Sequence, residues 1–157
     1  MNIDLLLKYA QEYNRFSTGK IILGPPGIGK TYYINNQPKY YDKLNWIDAD
    51  KLVSDMGINW KSDCKIEEEY TYKKIDNILE TCKKDGFNII GSLFWDYIPD
   101  AIVIPPLDIH IKYLKMRNDL NYSDVMTIRN YLNKHAIENN IPLYTNCEVV
   151  PVIGLVS

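Results

Sequence analysis

Short apolar runs alternate along the chain with longer segments whose apolar residues recur at helical spacing, and this alternation predicts strand-helix-strand crossovers in a parallel sheet. Lys20 to Leu23 reads as a short buried strand, preceded by an amphipathic helix over roughly Asp4 to Tyr13. Asn45 to Ile47 reads as the second strand and runs into Asp48-Ala49-Asp50. A long helix is predicted from about Asp63 to Lys84, with Thr71, Ile75, Ile78, Leu79 and Cys82 on one face and Gly86 as its stop. Phe87 to Ile90 is the third strand, and Ala101 to Ile104 the fourth, closed by Pro105-Pro106. Asp108 is placed to cap a helix through about Arg117. The Ser123 hydroxyl is placed to open another helix, which reaches Glu138 or Asn139 and ends at the Asn139-Asn140 pair. A last strand falls within Leu143 to Ile153. The pattern adds up to an α/β chain with a mostly parallel sheet of about five strands. With 157 residues, no internal repeat and no Gly, Ser or Pro-rich linker, the expectation is a single domain over residues 1–157.

The first strand runs into Gly24-Pro25-Pro26-Gly27-Ile28-Gly29-Lys30-Thr31, which matches G-x-x-x-x-G-K-[ST] at every fixed position and sits between a predicted strand and a predicted helix. Glycines let the backbone curl so that successive amides point inward, and the following helix adds the positive end of its dipole. Phosphate charge is what such a curl fits. Lys30 is then placed to reach the β and γ phosphates, and the Thr31 hydroxyl to bind Mg²⁺. The plain alternative is a Gly-Pro turn joining strand to helix, with Lys30 a solvated cation. These eight residues resemble the Walker A loop of the P-loop NTPases. The resemblance implies a three-layer P-loop domain, ATP or another NTP as donor, Mg²⁺ as cofactor, and donor contacts from Gly24 through Thr31.

The chain beyond the loop decides the branch. No Asn-Lys-x-Asp base-recognition sequence occurs, and the third strand ends in Gly91-Ser92 with no acid at its tip. The remaining chain resembles the small nucleotide and polynucleotide kinase branch. Asp48-Ala49-Asp50 is similar to the D-x-D or D-D element of polynucleotide 5′-kinases and related small-molecule kinases. That match implies that Asp50 orients or deprotonates the acceptor hydroxyl, with Asp48 in the outer shell of the metal. The competing reading is that one of the two aspartates caps the helix after the strand, since Asp is a favoured N-cap. Ile104-Pro105-Pro106-Leu107-Asp108-Ile109-His110-Ile111-Lys112-Tyr113-Leu114-Lys115-Met116-Arg117 is similar to the strand, proline turn and Arg-ended helix that deliver a lid arginine in small kinases. By that likeness Lys115, Arg117 and, more weakly, Arg129 clamp the transferring phosphate or the adenine face. The alternative is a solvated basic helix end that complements the dipole.

Weaker signals surround these. His110 and His135 have no ligand partner at helical spacing and read as core or surface histidines. Trp46 reads as core. Trp60, Phe94 and Trp95 are candidates to stack on an acceptor base. Glu67-Glu68-Glu69 reads as a solvated face, and Ser92 as a residue at the ligand edge of the sheet.

Composition narrows the choice further. Apolar residues at 46% and charged residues at 24% are ordinary for a globular chain. No stretch approaches a membrane span, and three widely spaced cysteines (Cys64, Cys82, Cys147) with no CxxC read as reduced thiols, so a soluble cytoplasmic protein is expected. A net charge of -2 supplies no global field for nucleic acid. A nucleoside or nucleotide is therefore favoured as acceptor over a polynucleotide 5′-hydroxyl end, although Lys73, Lys74, Lys83 and Lys84 could contact a strand. The rival from another class is a nucleotide-binding module or slow NTPase that regulates a partner.

Overall fold

The computed structural model describes residues 19–30, 34, 46–55, 57, 68–92, 97–117 and 121–145. The expected helix over Asp4 to Tyr13, the opening of the long helix at Asp63, Asn45, Thr31, Arg15, Trp60, Phe94, Trp95, Glu67, Cys64, Cys147 and most of the last strand range lie outside these residues. Among the described residues nine elements run in order: β1 (Ile21–Leu23), β2 (Trp46–Asp48), α1 (Ala49–Asp55), α2 (Glu68–Lys84), β3 (Asn88–Gly91), β4 (Ala101–Val103), α3 (Leu107–Lys115), α4 (Tyr122–Glu138) and β5 (Leu143–Tyr144). The strands expected from the apolar runs are present, with limits displaced by about one residue, as strand ends usually are.

All five strands are parallel and lie in the order β2-β3-β1-β4-β5. β1 is central, with Leu23 opposite Gly91 on one side and Ile102 on the other. A strand flanked in this way is apolar on both faces, which is why Ile21, Ile22 and Leu23 form an unbroken run and all three are fully buried. Alternate residues divide between two clusters. Ile21, Leu23, Ile47, Ile89 and Ile102 pack with Leu52 of α1, with Ile75, Ile78, Leu79 and Cys82 of α2, and with Leu132 and Ala136 of α4. Ile22, Trp46, Ile90, Ala101 and Val103 pack on the other face with Ile28 and Ile34. Covering material on both faces makes three layers. Cys82 is a free thiol pushed up to about 12, first by burial and then by Asp85, so it stays protonated and inert.

Helix stops follow the sequence closely, whereas helix starts do not. Gly86 has φ 89°, Gly86 N–H donates to Lys83 O at 3.1 Å, and Phe87 N–H donates to Cys82 O at 3.0 Å. Two orphan carbonyls of α2 are thereby satisfied in a Schellman motif. At the end of α4, Asn140 takes φ 53° and Ile141 N–H reaches back to Ala136 O at 3.0 Å. Asp108, expected as a cap, lies instead in the first turn of α3, whose N-cap is Pro106 with no side-chain cap bond. A proline at that position fixes an extended backbone just before the helix, so the boundary falls two residues earlier than a side-chain cap requires. Ser123 likewise lies inside α4: Asn121 is the cap, its side chain accepting from Asp124 N–H at 3.1 Å. Asn is at least as good a cap as Ser, and here it is placed one turn ahead of the apolar face.

The amino edge of the sheet is tied by polar side chains. Asp100 Oδ2 accepts from Ile21 N–H at 2.7 Å, and its Oδ1 receives Lys83 Nζ at 3.0 Å. Asn88 Oδ1 accepts from Lys20 N–H at 3.0 Å. Among the described residues no helix is long and apolar enough to cross a membrane.

Candidate functional site

The carboxyl ends of parallel strands share one edge. That edge gathers Gly24–Lys30 after β1, Asp48 and Asp50 at β2, Ser92 after β3, and Pro105 and Pro106 after β4. From β1 the chain leaves toward β2, whereas from β4 it leaves toward β5 on the other side. The crevice between β1 and β4 is thus a topological switch point, the place where open parallel sheets bind ligands.

Glycine is required in the loop for two separate reasons. A Cβ on Gly24 would lie 3.0 Å from both Val103 O and Val103 Cγ1, and 2.3 Å from Ile28 Cδ1. Only Gly lets β1 continue against β4 here. Gly27 and Gly29 have φ of 81° and 96°, the left-handed region that a side chain disfavours. Gly24 N–H extends the ladder by donating to Gly91 O at 2.9 Å. Ile28 turns its side chain into the sheet and is almost fully buried, which contributes roughly 2 kcal/mol to holding the loop down. Its share in any ligand contact is therefore through its backbone.

Lys30 begins helical geometry and folds back over the loop, with Nζ donating to Gly24 O at 3.0 Å and Pro25 O at 2.6 Å. Burial pushes the ammonium down from 10.5 to about 8; the charges of Asp50 and Asp48 oppose this, and Arg117 adds to it. Three stretches distant in sequence therefore act on one side chain. Asp48 ends β2 and accepts from Asp50 N–H at 2.9 Å, the geometry of an N-cap on α1. Of the two aspartates it is Asp48 that caps. Asp50 sits in the first turn with its side chain exposed; partial desolvation by its surroundings, then Asp48, push its carboxyl above the usual range, with Lys30 acting against both. Arg117 and Lys115 are exposed at the end of α3.

Thr31, expected at the metal, lies outside the described residues. No three His, Cys, Asp or Glu groups gather into a metal cage among the described residues. Mg²⁺ is usually held by one or two carboxylates together with phosphates, so Asp48 and Asp50 are the oxygen donors of suitable chemistry here.

Two residues make contacts that the sequence did not suggest. His110, fully buried on α3, lies with Nε2 2.8 Å from Pro26 O and Nδ1 3.0 Å from Arg129 Nη1. Arg129 Nη1 also donates to Pro105 O at 2.7 Å. The guanidinium considered for a transferred phosphate thus braces the loop after β4 and the histidine. No local signal links positions 26, 110 and 129; the fold alone joins them. His135 is a satisfied core histidine, with Nε2 2.8 Å from Tyr97 O and Nδ1 3.1 Å from Asn139 Nδ2. Trp46 is core. Lys83 lies at the amino edge, paired with Asp100, on the opposite side of the sheet from the loop. The chain matches no protein-family model, and no curated protein matches it.

Proposed function

We propose that the protein is an ATP·Mg²⁺-dependent phosphotransferase of the P-loop kinase kind, acting on a nucleoside or nucleotide acceptor. The observation that carries this reading is the loop after β1, where Lys30 Nζ folds back on Gly24 O and Pro25 O at the same sheet edge on which Asp48 and Asp50 stand. Such a set has a separate partner for each part of phosphoryl transfer. Lys30 and the amides from Gly27 onward bind the β and γ phosphates. Asp48 and the Thr31 hydroxyl would help to hold Mg²⁺, which would supply positive charge to offset that of the phosphates. Asp50 takes the proton of the acceptor hydroxyl while that oxygen bonds to the γ phosphorus and the bond to the β–γ bridging oxygen breaks, releasing ADP. A carboxylate held above its usual range is a stronger base than a free one, which suits this step. Arg117, with Lys115 beside it, offsets the charge that spreads over the moving group. ATP or another NTP serves as donor.

Lys83 of the lysine cluster is engaged at the far edge of the sheet, which gives the polynucleotide reading no added support. The test is transfer of radiolabelled γ phosphate from ATP with Mg²⁺ to a panel of nucleosides, nucleoside monophosphates, a 5′-hydroxyl oligonucleotide and water alone. Label on a nucleoside or mononucleotide is the expected result. Label only on the oligonucleotide moves the acceptor class to a polynucleotide end. Label released only as free phosphate overturns the kinase reading in favour of an NTPase or switch module.

A further inference from the structure

A second layer of residues stands behind the loop and controls which way its amides face. Arg129 is always protonated and its Nη1 can only donate, so at 3.0 Å the His110 Nδ1 must accept. The single ring proton then resides on Nε2, which donates to Pro26 O at 2.8 Å. Both hydrogens of Arg129 Nη1 are engaged, one on His110 and one on Pro105 O at 2.7 Å, so the guanidinium has little freedom to release the ring.

The carbonyl that the ring holds belongs to a particular peptide group. In a trans peptide the C=O and the following N–H point in opposite directions, and no cis bond occurs among the described residues. With Pro26 O drawn toward α3, the Gly27 N–H of the same peptide is turned the opposite way, away from the His110 ring. Pro25 and Pro26 have no amide hydrogen, and that of Gly24 is engaged with Gly91 O. Gly27 therefore supplies the first amide proton that this loop can offer to an anion. The chain makes a turn at Pro26 and Gly27, where Gly27 has φ 81°, the value found at the third residue of a type II turn. The type I alternative has its central peptide flipped, which would reverse this donor.

We propose that His110 is a positioning residue for phosphate binding: its Nε2–H, locked in place by Arg129, fixes the Pro26–Gly27 peptide so that the Gly27 amide faces the bound polyphosphate. The inference rests on the reading of Gly24–Thr31 as a phosphate loop, and it extends to neither the acceptor nor the transfer step. The bond also spans the crevice, linking the loop after β1 to the helix after β4, so loop geometry is set by the packing of α3 and α4 as well as by the local sequence.

The test compares His110→Gln with His110→Phe in the full chain. A glutamine amide can donate to Pro26 O and accept from Arg129, whereas phenylalanine fills similar space and can do neither. Titration calorimetry with ATP·Mg²⁺ and, separately, with inorganic tripolyphosphate should show the Phe variant weakened about tenfold for both ligands and the Gln variant within about threefold of wild type. Rescue by Gln is not expected if the ring only fills volume. In wild type, long-range ¹H–¹⁵N spectra should find Nε2 of His110 protonated and Nδ1 bare near neutral pH, a readout that does not depend on any variant folding. Protonation at Nδ1 overturns the proposal, as does a folded Phe variant that binds tripolyphosphate like wild type, or a folded Gln variant that binds no better than Phe. A wild-type protein that binds tripolyphosphate with this variant pattern but transfers no phosphate supports the positioning role and sinks the kinase reading instead. A wild-type protein that binds neither ligand sinks both.

Discussion

The Lys30 ammonium should take up a proton when a polyphosphate binds, because the unliganded loop holds it in an environment that disfavours its charge. Burial brings it from 10.5 to about 8 in spite of Asp48 and Asp50, a difference that costs about 3 kcal/mol while the group stays protonated. A polyphosphate beside Nζ favours the charged form and restores a value near that of a free lysine. At about pH 8.5, roughly three quarters of the unliganded sites are neutral and nearly all liganded ones are charged, so binding takes up about 0.7 proton. Near pH 7 the uptake falls to about 0.1 proton, since most of the lysines are already charged. By linkage, affinity should weaken about tenfold between pH 7 and about pH 9. The assay is titration calorimetry of ATP·Mg²⁺ in buffers of different ionisation enthalpy, where the slope of observed heat against buffer enthalpy gives the proton count. Lys30→Arg, charged throughout this range, should lose the uptake. Uptake below about 0.2 proton near pH 8.5, or equal uptake in the Arg variant, would refute the reasoning.

Asp50→Asn should lower phosphate transfer by at least about a hundredfold while ATP·Mg²⁺ affinity changes by less than about threefold, as measured by steady-state kinetics beside direct binding. Transfer at the wild-type rate would remove Asp50 from catalysis. Gly24→Ala should destabilise the fold by about 2 kcal/mol in chemical denaturation, since the new Cβ meets the Val103 backbone and Ile28 and either β4 or the loop must move. A neutral result would mean that the loop and β4 separate freely. His110 is held below the usual histidine range, first by burial and further by Arg129 and Lys30, with the Pro26 bond acting against them. The unfolded chain therefore binds a proton more readily than the native one, and stability should fall as pH drops below about 6.5, by at most about 1.4 kcal/mol per pH unit for this group. Urea midpoints of His110→Gln should lack that part of the acid slope, and an unchanged slope would show that the ring does not contribute to it.

Part of the site was legible because its chemistry is local. The curl at Gly27 and Gly29 depends on left-handed backbone that glycine itself announces, and Asp48 stands at a strand end that apolar spacing alone locates. The strands, the long helix and the stops at Gly86 and Asn140 were equally readable, since a buried run or a left-handed C-terminal residue is specified within a few positions. The starts of α3 and α4 were misplaced because Asp108 and Ser123 are competent caps that lost to Pro106 and Asn121, a competition settled by where each helix docks.

The sequence offers Arg129 only as a weaker candidate for the phosphate clamp. Its engagement with His110 and Pro105 joins α4 to α3 and to the loop after β4, which no local pattern specifies. The sequence by itself determined an α/β chain with five strands and a glycine-curled loop after the first of them, because hydrophobic period and backbone curl are written in neighbouring residues. The tertiary structure alone decided the strand order, the placing of Asp48 and Asp50 on the same sheet edge as Lys30, and the brace from His110 to Pro26. Pro26 and His110 are 84 residues apart, and contacts across such a separation arise from how whole elements pack, not from anything either residue's neighbours encode.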